Sequence, residues 1–215
     1  MPLALYYHPL SSYCMKALIA LYENDTPFTP RLVKLMEPAE RAEFLKVWRI
    51  GKMPVLKDGD WIVPESSIII EYLDQKYPGR TRFIPADAEL ARQMRMRDRF
   101  FDCYVMEQMM KIVGDRLRPE GRRDPFGVEE ACTRLATALE LANEALAGRT
   151  YAFGEGFGMA DCAAVPSLFY AAKVMAGFAS AYPVVAGYLD RQLERPSIAR
   201  VMREAEPYME LFPKQ

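Results

Sequence analysis

Tyr6-Tyr7-His8-Pro9-Leu10-Ser11-Ser12-Tyr13-Cys14 decides how this chain is read. The apolar run Leu3–Tyr7 that leads into it has the pattern of a strand, and Pro9 with two serines breaks that strand. From Tyr13 onward the period changes, with Cys14, Ala17, Leu18 and Leu21 recurring at helical spacing. Ser11 and Ser12 therefore fall at a strand-to-helix turn, beside a helix N-terminus with unpaired N–H groups and about half a positive charge. Such a turn suits an anion, whether carboxylate, phosphate or thiolate.

Outward from this turn, the first 77 residues alternate between the two periods. Phe28–Leu35 reads as a second strand, with Pro30 confining it to an edge or bulge, and Glu37–Trp48 as a short helix with Pro38 in its first turn. Met53–Lys57 and Trp61–Val63 read as strands of a hairpin turning at Asp58-Gly59. Ser66 or Ser67 is expected to cap the following helix, which runs to Tyr77 with Ile69, Tyr72 and Leu73 on one face. The order β-α-β-α-β-β-α predicts a parallel pairing across the first crossover and an antiparallel closing hairpin.

Residues 78–87 read as a linker, and helical periodicity fills the remainder. One long helix is expected over Ala88–Val113, with Leu90, Met94, Phe101, Tyr104, Val105, Met109 and Ile112 on its apolar stripe. A loop over Gly114–Gly127 follows, then helices over Val128–Leu146, Met159–Met175, Tyr182–Leu193 and Pro196–Ala205. The plan is an α/β domain (1–77), a linker (78–87) and an all-helical domain (88–215).

The totals exclude several function classes. Lys plus Arg is 28 and Asp plus Glu 29, so no strongly basic surface marks nucleic acid or anionic membrane as a partner. No apolar run approaches the roughly 20 residues of a membrane span, and no secretion signal is evident. Four widely spaced cysteines read as reduced thiols of a cytoplasmic protein. His8 is the single histidine, so no histidine-built metal site is expected, and a Ser-His-Asp triad would have to use His8 itself.

Three features converge on one ligand shape: Ser11 at its helix start, Met53-Pro54 before a strand, and Glu65-Ser66 at a second helix start. A proline at such a turn is often cis, which would turn the backbone of Met53 outward to pair with an extended ligand. Together they suit an extended peptide with a thiol at Ser11, a mid-chain amide at Met53 and a carboxylate at Ser66.

In these residues the chain resembles the glutathione S-transferases over essentially its whole length. Ser11-Ser12-Tyr13-Cys14-Met15-Lys16-Ala17-Leu18-Ile19-Ala20-Leu21 is similar to the family's S-x-x-x-x-K/R-x-x-x-A-L element, and Gly51-Lys52-Met53-Pro54-Val55-Leu56 to its G-K-V-P-x-L loop. Glu65-Ser66 with Ile69, Tyr72 and Leu73 resembles its E-S-x-x-I-x-x-Y-L helix, and Ala160-Asp161 its buried capping box. The Ser-type classes (theta, zeta and bacterial beta-like) are nearer than the Tyr-type ones. The resemblance implies a thioredoxin-like N-terminal domain, an all-helical C-terminal domain, a homodimer and glutathione as co-substrate without a metal. It implies Ser11 as the catalytic hydroxyl, with Ser12, Lys52, Met53, Pro54, Glu65 and Ser66 binding glutathione. By fold analogy a small hydrophobic electrophile would lie against Leu10, Tyr104, Gln108 and Met109. Trp48-Arg49 stands where the family has Asn-Pro, Gly158 where it has a capping Ser or Thr, and Ser12 where many relatives have Pro.

Glutaredoxins carry Cys-Pro-Tyr-Cys where this chain has Ser11-Ser12-Tyr13-Cys14, so the attacking cysteine has become a hydroxyl. Dithiol exchange needs a thiolate there; a hydroxyl instead donates a hydrogen bond to a ligand's sulfur, with Ser12 and Tyr13 as alternative donors. Cys14 reads as an inert core thiol, Arg92, Arg95, Arg97 and Arg99 as a solvated or subunit-facing stretch, and Arg116, Arg118, Arg122 and Arg123 as solvent-facing. The expected reaction is thiolate attack on an electrophilic carbon. A glutathione-dependent isomerase, dehalogenase or peroxidase, or a non-catalytic binding protein on the same fold, is the alternative.

Overall fold

A computed structural model of the chain describes residues 3–213. The outermost residues of the two expected domains, 1–2 and 214–215, lie outside it. The N-terminal elements are β1 (Leu3–Tyr7), α1 (Ser12–Glu23), β2 (Phe28–Leu32), α2 (Pro38–Val47), β3 (Val55–Asp58), β4 (Trp61–Pro64) and α3 (Ser66–Lys76). The sheet order is β2-β1-β3-β4. β1 and β2 are parallel, in register from Leu3↔Phe28 to Tyr7↔Leu32, while β3 is antiparallel to both β1 and β4. Pro30 sits on the edge strand β2, where its missing N–H leaves no gap in the ladder. The strand stops at Leu32 rather than Leu35, because the Lys34 N–H turns away to Glu40 Oε2 at 2.9 Å.

α1 is buried along its whole length apart from Tyr13. It lies between the sheet with α3 on one side and the helical half on the other, so it carries apolar residues all round rather than a single stripe. Burying each of Leu18, Ile19 and Leu21 contributes about 1.5–3 kcal/mol. α2 covers the opposite face, where Val33, Phe44 and Val55 form a second small core joined by Trp48 and Met53.

The helical half comprises α4 (Ala88–Phe100), a π-helical segment (Phe101–Met106), α5 (Glu107–Arg116), α6 (Pro125–Ala145), α7 (Met159–Val174), a short α8 (Phe178–Ala181), α9 (Pro183–Leu193), α10 (Pro196–Ala205) and a terminal 3₁₀ segment (Glu206–Leu211). The long helix is thus continuous in direction but interrupted by a π-turn, and it runs to Arg116. Wider winding there shifts which residues face inward. Met94, Phe101, Val105, Met109 and Ile112 are buried as expected, but Leu90 and Tyr104 are exposed. The loop shrinks to residues 117–124, because Asp124 accepts the Gly127 N–H at 2.9 Å and starts α6 at Pro125.

α7 is the central helix. Asp161 is fully buried and accepts from the Gly158 N–H (2.9 Å), the Ala152 N–H (2.7 Å) and the Tyr188 hydroxyl (2.7 Å). The carboxylate half of the capping box therefore survives and gains two further donors. Glycine at 158 has a steric reason: a Cβ there would stand 2.5 Å from Met94 Cε and 3.1 Å from the Phe83 carbonyl. No helix among the described residues is long and apolar enough to cross a membrane.

Glu23, the last residue of α1, ties the halves together. It is buried and takes Arg195 at 2.6 and 2.8 Å, Ser197 at 2.7 Å and Thr81 at 3.0 Å. Burial works to raise its pKa, but the bonds from Arg195, Ser197 and Thr81 overcome it and hold the carboxyl below its ordinary value. A depressed carboxyl stabilises the fold above its unfolded pKa of about 4.3, and that contribution is lost as pH falls through the folded value. Glu23→Gln is expected to cost about 2 kcal/mol at pH 7, with the gap to wild type closing below about pH 4, as read by urea denaturation across pH.

Candidate active site

Between the two halves lies a cleft of about 210 Å³. Its N-terminal wall carries Tyr13 from α1, Trp48 after α2, Lys52-Met53-Pro54 before β3, and Pro64-Glu65-Ser66 between β4 and α3. Its C-terminal wall carries Arg99, Asp102, Cys103 and Glu107 from α4, the π-segment and α5.

Each N-terminal group is presented for a local reason. The Met53–Pro54 bond is cis, and Met53 lies just outside the ladder, which begins at Val55, so its N–H and C=O are not used within the sheet. Glu65 holds φ at +68° at the N-cap position of α3 and makes no side-chain cap. Neither Ser66 nor Ser67 is the cap, contrary to the sequence reading. Both lie inside the first turn, and the Ser67 hydroxyl is turned away into a buried ion cluster. The first N–H groups of α3, free of intrahelical partners, thus open toward the cleft.

That cluster stands behind the cleft. Lys16 is 1% exposed and places Nζ 2.5 Å from Asp98, 2.8 Å from Asp102 and 2.7 Å from Ser67. Ser67 donates to Asp98 at 2.8 Å, and Arg99 joins through Asp98, Asp102 and Ser67. Lys16 reaches Asp98 and Asp102 from the other half and half-exposed Arg99 joins them from their own half, so two cations match two carboxylates. Burial pushes the Asp102 carboxyl up, opposed by Lys16 and Arg99.

Ser11 sits beside the cleft rather than in its lining. It is the N-cap of α1, its Oγ accepting the Cys14 N–H at 3.4 Å, which leaves the hydroxyl proton available to donate. Ser12 is buried at 4% exposure. The Cys14 thiol is buried and pushed up to about 12 by burial, which leaves it an inert thiol. Leu10 is half-buried, its carbonyl accepting the Tyr170 hydroxyl at 2.6 Å. Tyr170 stacks on Phe212 with ring centroids 5.3 Å apart.

The expected electrophile wall is not assembled as read. Tyr104 and Gln108 line a separate groove against Thr137, Ala138 and Leu141 of α6, and Met109 is core at 2% exposure. A helix face rotated by the π-turn separates them from Leu10; Cys103 and Glu107 are the residues that meet the cleft. Arg99 is likewise no solvated stretch residue, and Arg95 makes a two-pronged pair with Glu71 at 2.7 and 2.9 Å. Trp48, Arg99, Asp102, Cys103 and Glu107 were missed as lining residues. Their one sequence signal, the spacing 99-103-107 along a helix, is indistinguishable from a solvated face. Among the described residues no group of three or more His, Cys, Asp or Glu side chains is placed to hold a metal ion.

Comparison with known proteins agrees with this architecture. Residues 5–81 match the family model for the glutathione S-transferase N-terminal domain, and residues 125–191 the model for the C-terminal domain. The chain is 28% identical over 210 residues to glutathione S-transferase 3 of Zea mays, covering 94% of this chain and 93% of that one. It is 29% identical over 184 residues to glutathione S-transferase theta-1 of Bos taurus, covering 79% and 73%. Among solved structures, a glutathione S-transferase from Methylobacillus flagellatus with GSH bound superposes with a TM-score of 0.85 at 25% identity, covering 93% of this chain and 98% of that one. Glutathione S-transferase III in its apo form superposes at 0.78 with 27% identity, covering 94% and 96%.

Removing the buried cation leaves Asp98 and Asp102 facing each other with Arg99 alone. Lys16→Met is expected to destabilise the protein by about 3–5 kcal/mol, measured by urea denaturation at pH 7. A loss under about 1 kcal/mol would show that the cluster does not hold the halves together.

Proposed function

Because the chain belongs to the glutathione S-transferase family, we propose that it binds glutathione in the interdomain cleft and activates its thiol for attack on a hydrophobic electrophile. The observation that carries this is the gathering of Lys52, Met53-Pro54 and Glu65-Ser66 in one cleft, with the Ser11 turn beside it.

An extended tripeptide matches that order. Its γ-glutamyl carboxylate meets the open N–H groups of α3 at Ser66, its cysteinyl amide pairs with the backbone of Met53, and its glycine carboxylate lies toward Lys52. The thiol then reaches the start of α1, where Ser11 has a proton to donate. A free thiol of pKa about 8.5 is only about 3% thiolate at pH 7. A hydroxyl donor and a helix N-terminus that lower it by about 2 units raise the thiolate fraction about 25-fold, partly offset by lower intrinsic nucleophilicity. Positioning of the electrophile supplies the remaining acceleration. Leu10 and Phe212, both half-buried around the buried Tyr170, support an electrophile on that side. The exposed Tyr104 and Leu141, which share the groove between the long helix and α6, support a homodimer that covers this face.

Calorimetry is expected to show glutathione binding at millimolar concentration or below; failure to bind would remove the proposal. Ser11→Ala is expected to lower kcat/KM for conjugation to a chlorinated nitroaromatic about 10- to 100-fold, and to raise the thiol pKa read from the pH–rate profile by about 1 unit, the helix N-terminus keeping its share. Wild-type activity in that variant would pass the donor role to Tyr13, the hydroxyl that lines the cleft. Binding without conjugation, followed by turnover of organic hydroperoxides or cis-dienoic acids, would identify the peroxidase or isomerase alternative. Binding without any turnover would identify a carrier.

A further inference from the structure

The turn that carries Ser11 is held by one residue. It spans residues 9–11, between β1 with His8 and the start of α1, and Pro9 has no N–H, so its backbone donors are those of Leu10 and Ser11. Both go to His8. The Ser11 N–H donates to the His8 carbonyl at 3.0 Å, and the Leu10 N–H donates to the ring nitrogen Nδ1 at 3.2 Å. Leu10 also gives its carbonyl to the Tyr170 hydroxyl at 2.6 Å. Leu10 is thus pinned from both sides, its N–H by the ring and its C=O by the helical half, and Ser11 follows it directly into α1.

A ring nitrogen accepts an N–H only while it carries no proton. On protonation Nδ1 turns its own N–H on that of Leu10, and two donors face each other. The surroundings favour the neutral ring. Burial lowers the His8 pKa from its ordinary value, and Lys34 just beyond β2 lowers it further. From the terminal 3₁₀ segment Tyr208 meets the ring edge to face, with centroids 4.9 Å apart and planes at 73°. Glu204 and Arg200 of α10, which act on neighbouring Tyr7, are bonded to each other at 3.0 Å, and Glu204 also takes the Tyr22 hydroxyl at 2.6 Å. The Cys14 thiol of α1 stays protonated. Among the described residues no carboxylate pairs with the ring to hold a proton on it.

We propose that His8 is the positioning residue of the thiol-activating turn: neutral, its Nδ1 seats Leu10 and with it the Ser11 hydroxyl against the sulfur; protonated, it releases the turn, and thiol activation is lost while glutathione binding remains. The assignment rests on Ser11 being the donor to that sulfur. The cradle at Met53 and Ser66 belongs to other loops, which is why binding survives the release.

His8 is the single histidine, so its ring C–H resonances report its titration in the full chain. The midpoint is expected below about pH 6.5, and there the fall of log kcat/KM for conjugation steepens beyond about one unit per pH unit, because ring and thiol both take up protons. His8→Asn keeps an acceptor that reaches the N–H two residues on and has no proton to gain, so it should return the slope to about one. His8→Ala should lose about five- to tenfold in kcat/KM at about pH 7.5, most of which His8→Asn recovers, with the glutathione Kd from calorimetry within about twofold of wild type in both. In a Ser11→Ala background His8→Ala should cost under about twofold, since the two act as a unit. Where His8→Ala is too unstable to assay, the slopes of wild type and His8→Asn decide. A single-proton slope in wild type through the ring's titration, wild-type activity in His8→Ala, or its full loss repeated in the Ser11→Ala background would overturn the positioning role. Wild-type conjugation by Ser11→Ala alone would instead overturn the reading of Ser11, and the assignment with it.

Discussion

The ammonium of Lys16 is the constraint on which the arrangement of this protein depends. It sits on a helix packed on all sides, where an unpaired charge would cost several kcal/mol. Its partners Asp98 and Asp102 belong to the other half of the chain. The lysine's charge is therefore matched only when the halves are docked in one orientation, although Asp98 and Asp102 also take Arg99 of their own half. Apolar packing between α1 and α7 supplies attraction between the halves, but such packing tolerates sliding. The ion cluster does not, because Lys16, Asp98 or Asp102 displaced from its partners becomes a buried orphan.

The cleft inherits that fixed geometry. Ser67 accepts from the cluster and stands next to Ser66, which lines the cleft; Arg99 and Asp102 belong to both. The N-terminal wall offers mainly backbone groups, at Met53 and at the start of α3, whose positions follow from the sheet. The opposite wall offers side chains placed by a helix. On the proposed reading, ligand recognition combines directional backbone hydrogen bonds from one half with charge from the other, and the cluster sets the distance between them. Glu23 repeats the device at the far end of α1, pinning that helix to the linker and to the start of α10.

Most of the N-terminal half was legible in the sequence. The change of period at Tyr13, the Asp58-Gly59 turn and the prolines at helix starts are local signals, and the parallel β1–β2 pairing and the antiparallel β3–β4 hairpin follow from them, whereas the antiparallel seating of β3 on β1 was not read. The residues of the expected glutathione cradle, from Lys52 to Ser66, were readable because short motifs in loops carry backbone requirements. The wall from Arg99 to Glu107 was not readable. On a long helix every third or fourth residue shares a face, but which face meets a partner depends on rotation, and the π-turn alters that rotation midway. Tyr104 and Gln108 were placed on the wrong side for that reason, and Met109 belongs to the core.

The sequence by itself determined the elements and the local chemistry of the turns: a helix start with a free hydroxyl at Ser11, a proline turn at Met53-Pro54, and a second helix start at Glu65-Ser66. These depend on spacing, on backbone dihedrals and on unpaired N–H groups, all set within a few residues. Only the tertiary structure decided which charges are buried and which face the cleft. Lys16, Asp98 and Arg99 are ordinary charged residues in the sequence, and their roles arise from contacts between residues 31 to 86 positions apart. A long-range ion cluster leaves no periodic trace, because its condition is a distance in space and not a spacing along the chain.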